Sequence, residues 1–241
     1  MQKKFTWLLF TSLILSSCQY IYRERIKGNG NIVVNERNIA SFHSIDAGGA
    51  MHIFLHADSA GHQVRVEADE NLQEYIDIYE RDGTLFISQE ENVNLNPTKR
   101  IRVHVYGPLF KKIAVSGASE LHGENKLVQS EPVKLDLSGA SELELDLKAP
   151  EVIAELSGAS SMTLKGETRN LVLDGSGASR FRCAELLSEN VRVDVSGASS
   201  ADVFASVKLD VKASGASGVK YGGSPAITQD LSGASNIKKS E

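Results

Sequence analysis

From residue 113 onward, hydrophobic and polar positions alternate. Around Gly139 the apolar series is Val133, Leu135, Leu137, Leu143, Leu145 and Leu147, with Lys134, Asp136, Glu142, Glu144 and Asp146 between its members. A period of two puts the apolar set on one face of a strand and the charged set on the other, so these segments are predicted to be half-buried strands. The same parity recurs at Ile113, Val115 and Leu121, at Val152, Ala154, Leu156, Met162 and Leu164, and at Leu171, Leu173, Phe181 and Cys183. It continues at Val191, Val193, Val195, Ala201 and Val203, at Leu209, Val211, Ala213, Val219 and Tyr221, and at Ile227, Leu231 and Ile237. No apolar stripe of 3.6-residue period is long enough to compete as a helix.

Each alternating stretch surrounds one copy of Ser-Gly-Ala-Ser. The repeat glycines are Gly117, Gly139, Gly158, Gly177, Gly197, Gly215 and Gly233, spaced 22, 19, 19, 20, 18 and 18 residues apart. A short, regular period marks a solenoid, in which every unit buries its apolar face only by stacking on its neighbours. Nineteen extended residues make a perimeter of about 60 Å, a lumen only wide enough for side chains. The fold class is therefore all-β: a right-handed parallel β-helix with about 18–22 residues per coil, its hand following the general crossover preference. Lys148-Ala149-Pro150-Glu151 and Gly222-Gly223-Ser224-Pro225 read as corners. The parity sends the glycine and second serine of each repeat inward, and the first serine and the alanine outward as a flat small-residue stripe. Inward Ser119, Ser141, Ser160, Ser179, Ser199, Ser217 and Ser235 are expected to form a structural ladder of hydroxyls bonded from coil to coil.

Residues 28–112 are less regular. Ile45-Asp46-Ala47-Gly48-Gly49-Ala50-Met51-His52-Ile53 aligns with the stretch from Ile113 to Leu121 and reads as a degenerate coil. Strands are expected at Val64-x-Val66, Leu85-x-Ile87 and Ile101-x-Val103-x-Val105, with a hairpin turn at Asp82-Gly83 and one short helical turn within Asp69 to Tyr79. This region is expected to begin the β-helix and cover its open end.

Four motifs here, Gly28-Asn29-Gly30-Asn31, Phe42-His43-Ser44-Ile45, Ala68-Asp69-Glu70-Asn71-Leu72 and Asp82-Gly83-Thr84-Leu85-Phe86-Ile87, together with the repeated coils, resemble the putative auto-transporter adhesin, head GIN domain family common in Bacteroidetes. The resemblance runs over residues 28 to 237 and implies a right-handed β-helix on an exported protein. The family name suggests adhesion, an analogy of fold rather than of a site, and carries over no catalytic or binding residues.

At the N-terminus, Lys3 and Lys4 precede an apolar run from Phe5 to Leu15 and the sequence Leu15-Ser16-Ser17-Cys18. The run is too short for a permanent membrane span and reads as a secretory signal. Leu-Ser-Ser-Cys resembles a bacterial lipoprotein signal, with Cys18 as the lipid attachment. The expected organisation is a signal peptide over 1–17, a tether over 18–27, irregular coils and cap over 28–112, and regular coils over 113–241. This makes the membrane a partner through the lipid at Cys18, and the address the cell envelope, at the outer membrane or cell surface.

Composition narrows the chemistry. The 241 residues carry a net charge of −5, so no basic excess exists to neutralise nucleic-acid phosphates. Two cysteines cannot build a disulfide framework, and inward Cys183 reads as an inert core thiol. His52 and His56 stand four apart, which on a strand is about 13 Å and too far to share an ion. Three residues before the repeat glycines an outward column reads Ala114, Asp136, Glu155, Asp174, Asp194, Lys212 and Asp230. Carboxylates stacked at strand spacing repel, and Lys134, Arg180, Arg182, Arg192, solvent or a divalent cation could offset this. Asp136, Glu155, Asp174, Asp194 and Asp230 are thus a weak candidate metal column; otherwise no metal, cofactor or catalytic residue is expected. The short corners offer no loop-walled cleft. The reading is a non-enzymatic, lipid-anchored envelope β-helix that binds a glycan or protein ligand. The alternatives are a structural module assembling with further copies of itself, and a polysaccharide-lyase-like enzyme.

Overall fold

A computed structural model describes residues 24–58 and 60–240; the expected signal peptide, Cys18 and the first part of the tether lie outside the described residues. Within them the chain forms a β-solenoid of about seven turns. The last residues of the expected tether, Glu24–Lys27, are a strand paired in parallel with Val93–Asn96.

The regular coils follow the alternation. Strands Glu142–Leu156, Ser161–Gly175, Arg180–Val195 and Ser200–Ala213 stack in parallel register. One inward column runs Leu121, Leu143, Met162, Phe181, Ala201 and another Leu135, Ala154, Leu173, Val193, Val211. All of these side chains are buried in one continuous core. A buried leucine contributes about 1.5–3 kcal/mol by leaving water, and every coil adds several such residues.

The corners are bends within strands as much as breaks between them. Pro150 lies inside Glu142–Leu156, but the pairing steps from Ala149↔Thr168 to Glu151↔Asn170, so its missing N–H costs no rung of the ladder. The coil of 20 residues fits its extra residue between Arg182 and Glu185, opposite Thr163 and Lys165 of the coil before, and its pairing to the next coil is irregular between Cys183 and Leu187. Ala184 and Glu185 both face solvent there, Leu186 turns into the core, and Leu187 is left 53% exposed.

The repeat glycines line up along the rod, but they do not point inward as the parity suggested. Each is exposed at a turn with φ between +71° and +77°. The alternation halts there because the turn takes a left-handed residue, which glycine adopts without strain. The N–H of each following alanine, from Ala140 to Ala234, donates to the glycine carbonyl of the coil before at 2.7–2.8 Å. A Cβ on Gly158 would stand 2.5 Å from the Gly139 oxygen, so the close stacking itself requires glycine.

The N-terminal third departs from chain order. Ser44–Ala47 and His52–Ala57 form the degenerate coil, with Ile45 opposite Ile113 and Ile53 opposite Leu121. The chain then passes outward to lay Thr84–Gln89 and Arg102–Gly107 on the far side of that coil, and returns across it to Lys112–Val115. The first coil in sequence is therefore the second layer in space. Antiparallel strands finish the end: Gln63–Asp69 joins Arg102–Gly107 to Ile32–Arg37, and Ile76–Arg81 forms a hairpin with Thr84–Gln89. Asp82 and Gly83 make that hairpin turn at φ +52° and +74°, and Glu70–Tyr75 is a 3₁₀ turn.

Candidate functional site

Ser119, Ser141, Ser160, Ser179, Ser199 and Ser217 are buried, whereas Ser235 in the last coil is half-buried. A hydroxyl-to-hydroxyl rung forms between Ser179 and Ser199 at 3.1 Å. Two further hydroxyls reach the coil before, but at its carbonyls rather than its hydroxyls: Ser141 donates to the Val115 carbonyl at 3.2 Å and Ser235 to the Ala213 carbonyl at 2.9 Å. Ser141, Ser160, Ser199, Ser217 and Ser235 each donate to the carbonyl three residues earlier, at 2.6–3.0 Å, closing their own turns. The tight turn brings that carbonyl close, so most of these hydroxyls close their own turn, and only some also tie coil to coil.

The carboxylates do form a column. Asp46, Ala114, Asp136, Glu155, Asp174, Asp194, Lys212 and Asp230 occupy one register position of successive strands. The groove beside Asp46 to Asp174, with Ser116, Ser138, Ser157 and Ser176 along its other wall, has a volume of about 650 Å³. Lys112 pairs with Asp136 at 2.8 Å and Lys134 with Glu155 at 2.8 Å. The hydrogen bond to Glu155 raises the Lys134 ammonium further above its ordinary pKa. Burial, then the charges of Asp194 and Glu155, push Asp174 above the usual carboxylate range against the pull of Arg192. Arg180 and Arg182, expected among the neutralising neighbours, lie elsewhere: they pair in register with Ser161 and Thr163 on another face. Among the described residues no group of three or more His, Cys, Asp or Glu is arranged to hold a metal ion. Cys183 is fully buried, which pushes its thiol pKa up to about 12 and leaves it protonated and unreactive.

One cluster escaped sequence reasoning. Register puts Phe54 between His104 and His122 and puts His56 beside Tyr106 on the outer face of the cap. Phe54 stacks on His104 at 5.0 Å and His56 on Tyr106 at 4.2 Å, while His56 Nε2 and His104 Nδ1 approach to 3.3 Å. His52 contacts Glu120 at 3.3 Å. Burial lowers the pKa of both His52 and His56; His104 adds to the shift at His56, and Glu120 opposes it at His52. The two partners of the His56–His104 contact stand 48 residues apart, so only the signature of alternation on both strands hinted that they share a face.

The four cap motifs turn out to be structural. Asp69 is buried and accepts hydrogen bonds from Gly30 N–H at 2.7 Å, Thr98 N–H at 2.8 Å and the Thr98 hydroxyl at 2.6 Å. Burial alone would raise its pKa, but these bonds outweigh it and hold the carboxyl below its ordinary range. Asn71 accepts from Asn29 N–H and donates to the Lys27 carbonyl. The Gly83 carbonyl accepts from the N–H groups of His43 and Ser44.

Residues 41–225 match the model of a family described as "Putative auto-transporter adhesin, head GIN domain". Among solved structures, a putative adhesin from Bacteroides fragilis NCTC 9343 superposes with a TM-score of 0.83 at 21% identity, over 89% of this chain and 99% of that one. A putative lipid binding protein from Parabacteroides distasonis ATCC 8503 gives 0.76 at 18% identity, over 90% and 100%. A putative adhesin from Parabacteroides merdae ATCC 43184 gives 0.72 at 17%, over 90% and 100%. At these identities the likeness is one of fold. No curated protein matches the chain.

Proposed function

Because the chain belongs to the putative auto-transporter adhesin, head GIN domain family, we propose that it is a non-enzymatic, lipid-anchored binding module of the cell envelope, an adhesin that meets its ligand on the outer faces of the rod. The family match over residues 41–225 carries this reading. The arrangement of the coils supports it. Their interior is packed with Leu, Val, Ile and Phe side chains, so the outer wall is the surface on offer to a ligand. That wall presents open grooves between side chains that stand on rigid strands, a geometry suited to holding an extended partner rather than enclosing a small reactant. The lipid at Cys18 would hold the rod at the membrane, and the short stretch before Glu24 would set its distance from it.

Two measurements test this. Cys18→Ala is expected to move the protein from the membrane fraction to the soluble fraction; unchanged membrane association overturns the anchor. Protease applied to intact cells is expected to degrade the chain. Full protection under conditions that digest a known surface protein overturns the adhesin, since an inward-facing module cannot meet an external ligand.

A further inference from the structure

The last coils carry a second groove, of about 330 Å³, on the sheet face opposite in character to the acidic column. Its position follows from two outward columns in register. One runs Arg180, Ser200, Gly218, Asn236 and the other Arg182, Asp202, Lys220, Lys238. The four cations frame the groove, and Ser200 and Gly218 make a low floor between them. Arg182 and Lys238 are three strands apart, so the positive strip is about 14 Å long.

These cations differ from the paired lysines of the coils. Lys112, Lys134, Lys148 and Lys165 each have a carboxylate within 4.0 Å. Among the described residues Arg180, Arg182, Lys220 and Lys238 have none; Arg182 donates only to the Ser161 hydroxyl, at 3.3 Å. The one carboxylate in the groove, Asp202, has an oxygen shielded from solvent with no hydrogen-bond partner among the described residues. It lowers the local positive charge without engaging any of the four cations. On a chain of net charge −5, an unpaired cationic strip is a local reversal of the overall field.

We propose that this groove binds an acidic polysaccharide bearing carboxylate or sulfate groups; the proposal deepens the adhesin reading and rests on it. Arginine forks and lysine ammonium groups suit carboxylate and sulfate oxygens. The Ser200 hydroxyl and Asn236 amide beside them suit sugar hydroxyls. The groove's aromatic lining residue, Phe181, is buried inside the coil, so the strip lacks the stacking platform that single-stranded nucleic acid uses.

The test is binding of the purified chain to polygalacturonate, with fully methyl-esterified polygalacturonate as a matched uncharged polymer and phosphatidylglycerol vesicles as a separate arm. Polygalacturonate is expected to bind and its ester not to. Arg182→Glu and Lys220→Glu, both at exposed positions, are each expected to lower affinity at least tenfold with an unchanged melting curve, and Asp202→Asn to raise it several-fold. Equal binding of the ester, equal binding by the two charge reversals, or binding to vesicles alone overturns the groove. An intact adhesin reading with a failed groove shows as protease-accessible protein whose polygalacturonate binding ignores these substitutions. A failed adhesin reading shows as protease protection on cells, which leaves the purified-chain result unaffected.

Discussion

The cap and the regular coils bury the same kind of interior but are held together by different means. In the coils each turn makes the same bonds to the turn before it, alanine N–H to glycine carbonyl at 2.7–2.8 Å, and the contribution repeats with every layer. In the cap nothing repeats. Asp69 reaches Gly30 and Thr98, 39 and 29 residues away, and the Gly83 carbonyl takes the N–H groups of His43 and Ser44 from far earlier in the cap sequence. A repeat can lose one identical contact and keep its neighbours, whereas a cap that depends on single contacts concentrates risk. It also gains freedom, since the His56–His104 face exists because the cap strands are not copies of one another.

The largest effect should come from breaking the glycine column in its middle. In Gly158→Ala the new methyl would lie 2.5 Å from the Gly139 oxygen at φ +74°, combining backbone strain with overpacking against rigid backbone. Each of these costs roughly 1–3 kcal/mol, so a loss of about 4 kcal/mol is expected by chemical denaturation. Gly117 sharpens the comparison, because it has the same φ but stands at the junction with the cap. A Cβ there meets only the Gly49 nitrogen, at 3.4 Å. Gly117→Ala should therefore cost the left-handed strain alone, about 1–2 kcal/mol. Equal losses for the two would mean that stacking contributes nothing to the requirement for glycine.

Next in size is the cap's own keystone. Asp69→Asn keeps the shape but turns an amide NH₂ toward N–H and hydroxyl donors from Gly30 and Thr98. Losing charge-assisted bonds and leaving a donor unpaired should cost about 3 kcal/mol. The pH dependence has a definite sign. The folded pKa of Asp69 lies below its unfolded value, so its contribution is complete above about pH 4 and is lost as pH falls through the folded pKa. The gap between wild type and Asp69→Asn should close in acid. A gap that stays constant to pH 2 would separate the defect from the charge.

How much of this could be read from the sequence follows from the same contrast. Leu135, Ala154, Leu173 and Val193 could be assigned to the core because strict alternation and a fixed period determine a residue's face without knowledge of its partners. The acidic column was legible for that reason too. The direction of the repeat glycines was not, since one left-handed residue interrupts the parity on which the inference rested. The cap's layer order was hidden because the chain doubles back over its own first coil, a choice made by long-range packing among Leu85, Ile45 and Ile113. The histidine face was hidden behind it: spacing along one strand correctly separates His52 from His56 but is silent about the strand laid alongside.

The smallest effect tests the acidic column, and its sign is opposite to that at Asp69. The folded pKa of Asp174 is raised, first by burial and then by Asp194 and Glu155. Its favourable contribution is complete below the unfolded pKa and is lost as pH rises through the folded value, so at neutral pH the ionised side chain opposes folding. Asp174→Asn should therefore stabilise slightly at pH 7, by under about 0.5 kcal/mol given the screening of an exposed group. The two proteins should converge below about pH 4, where the carboxyl is protonated in both states. A bound divalent cation would reverse the result, because Asp174 would then be a ligand whose removal destabilises. Melting of wild type and Asp174→Asn with and without millimolar calcium separates the cases. A solvated column neutralised by Lys112 and Lys134 leaves both melting curves unmoved by calcium, and a calcium-dependent rise confined to wild type would make the column a cation site.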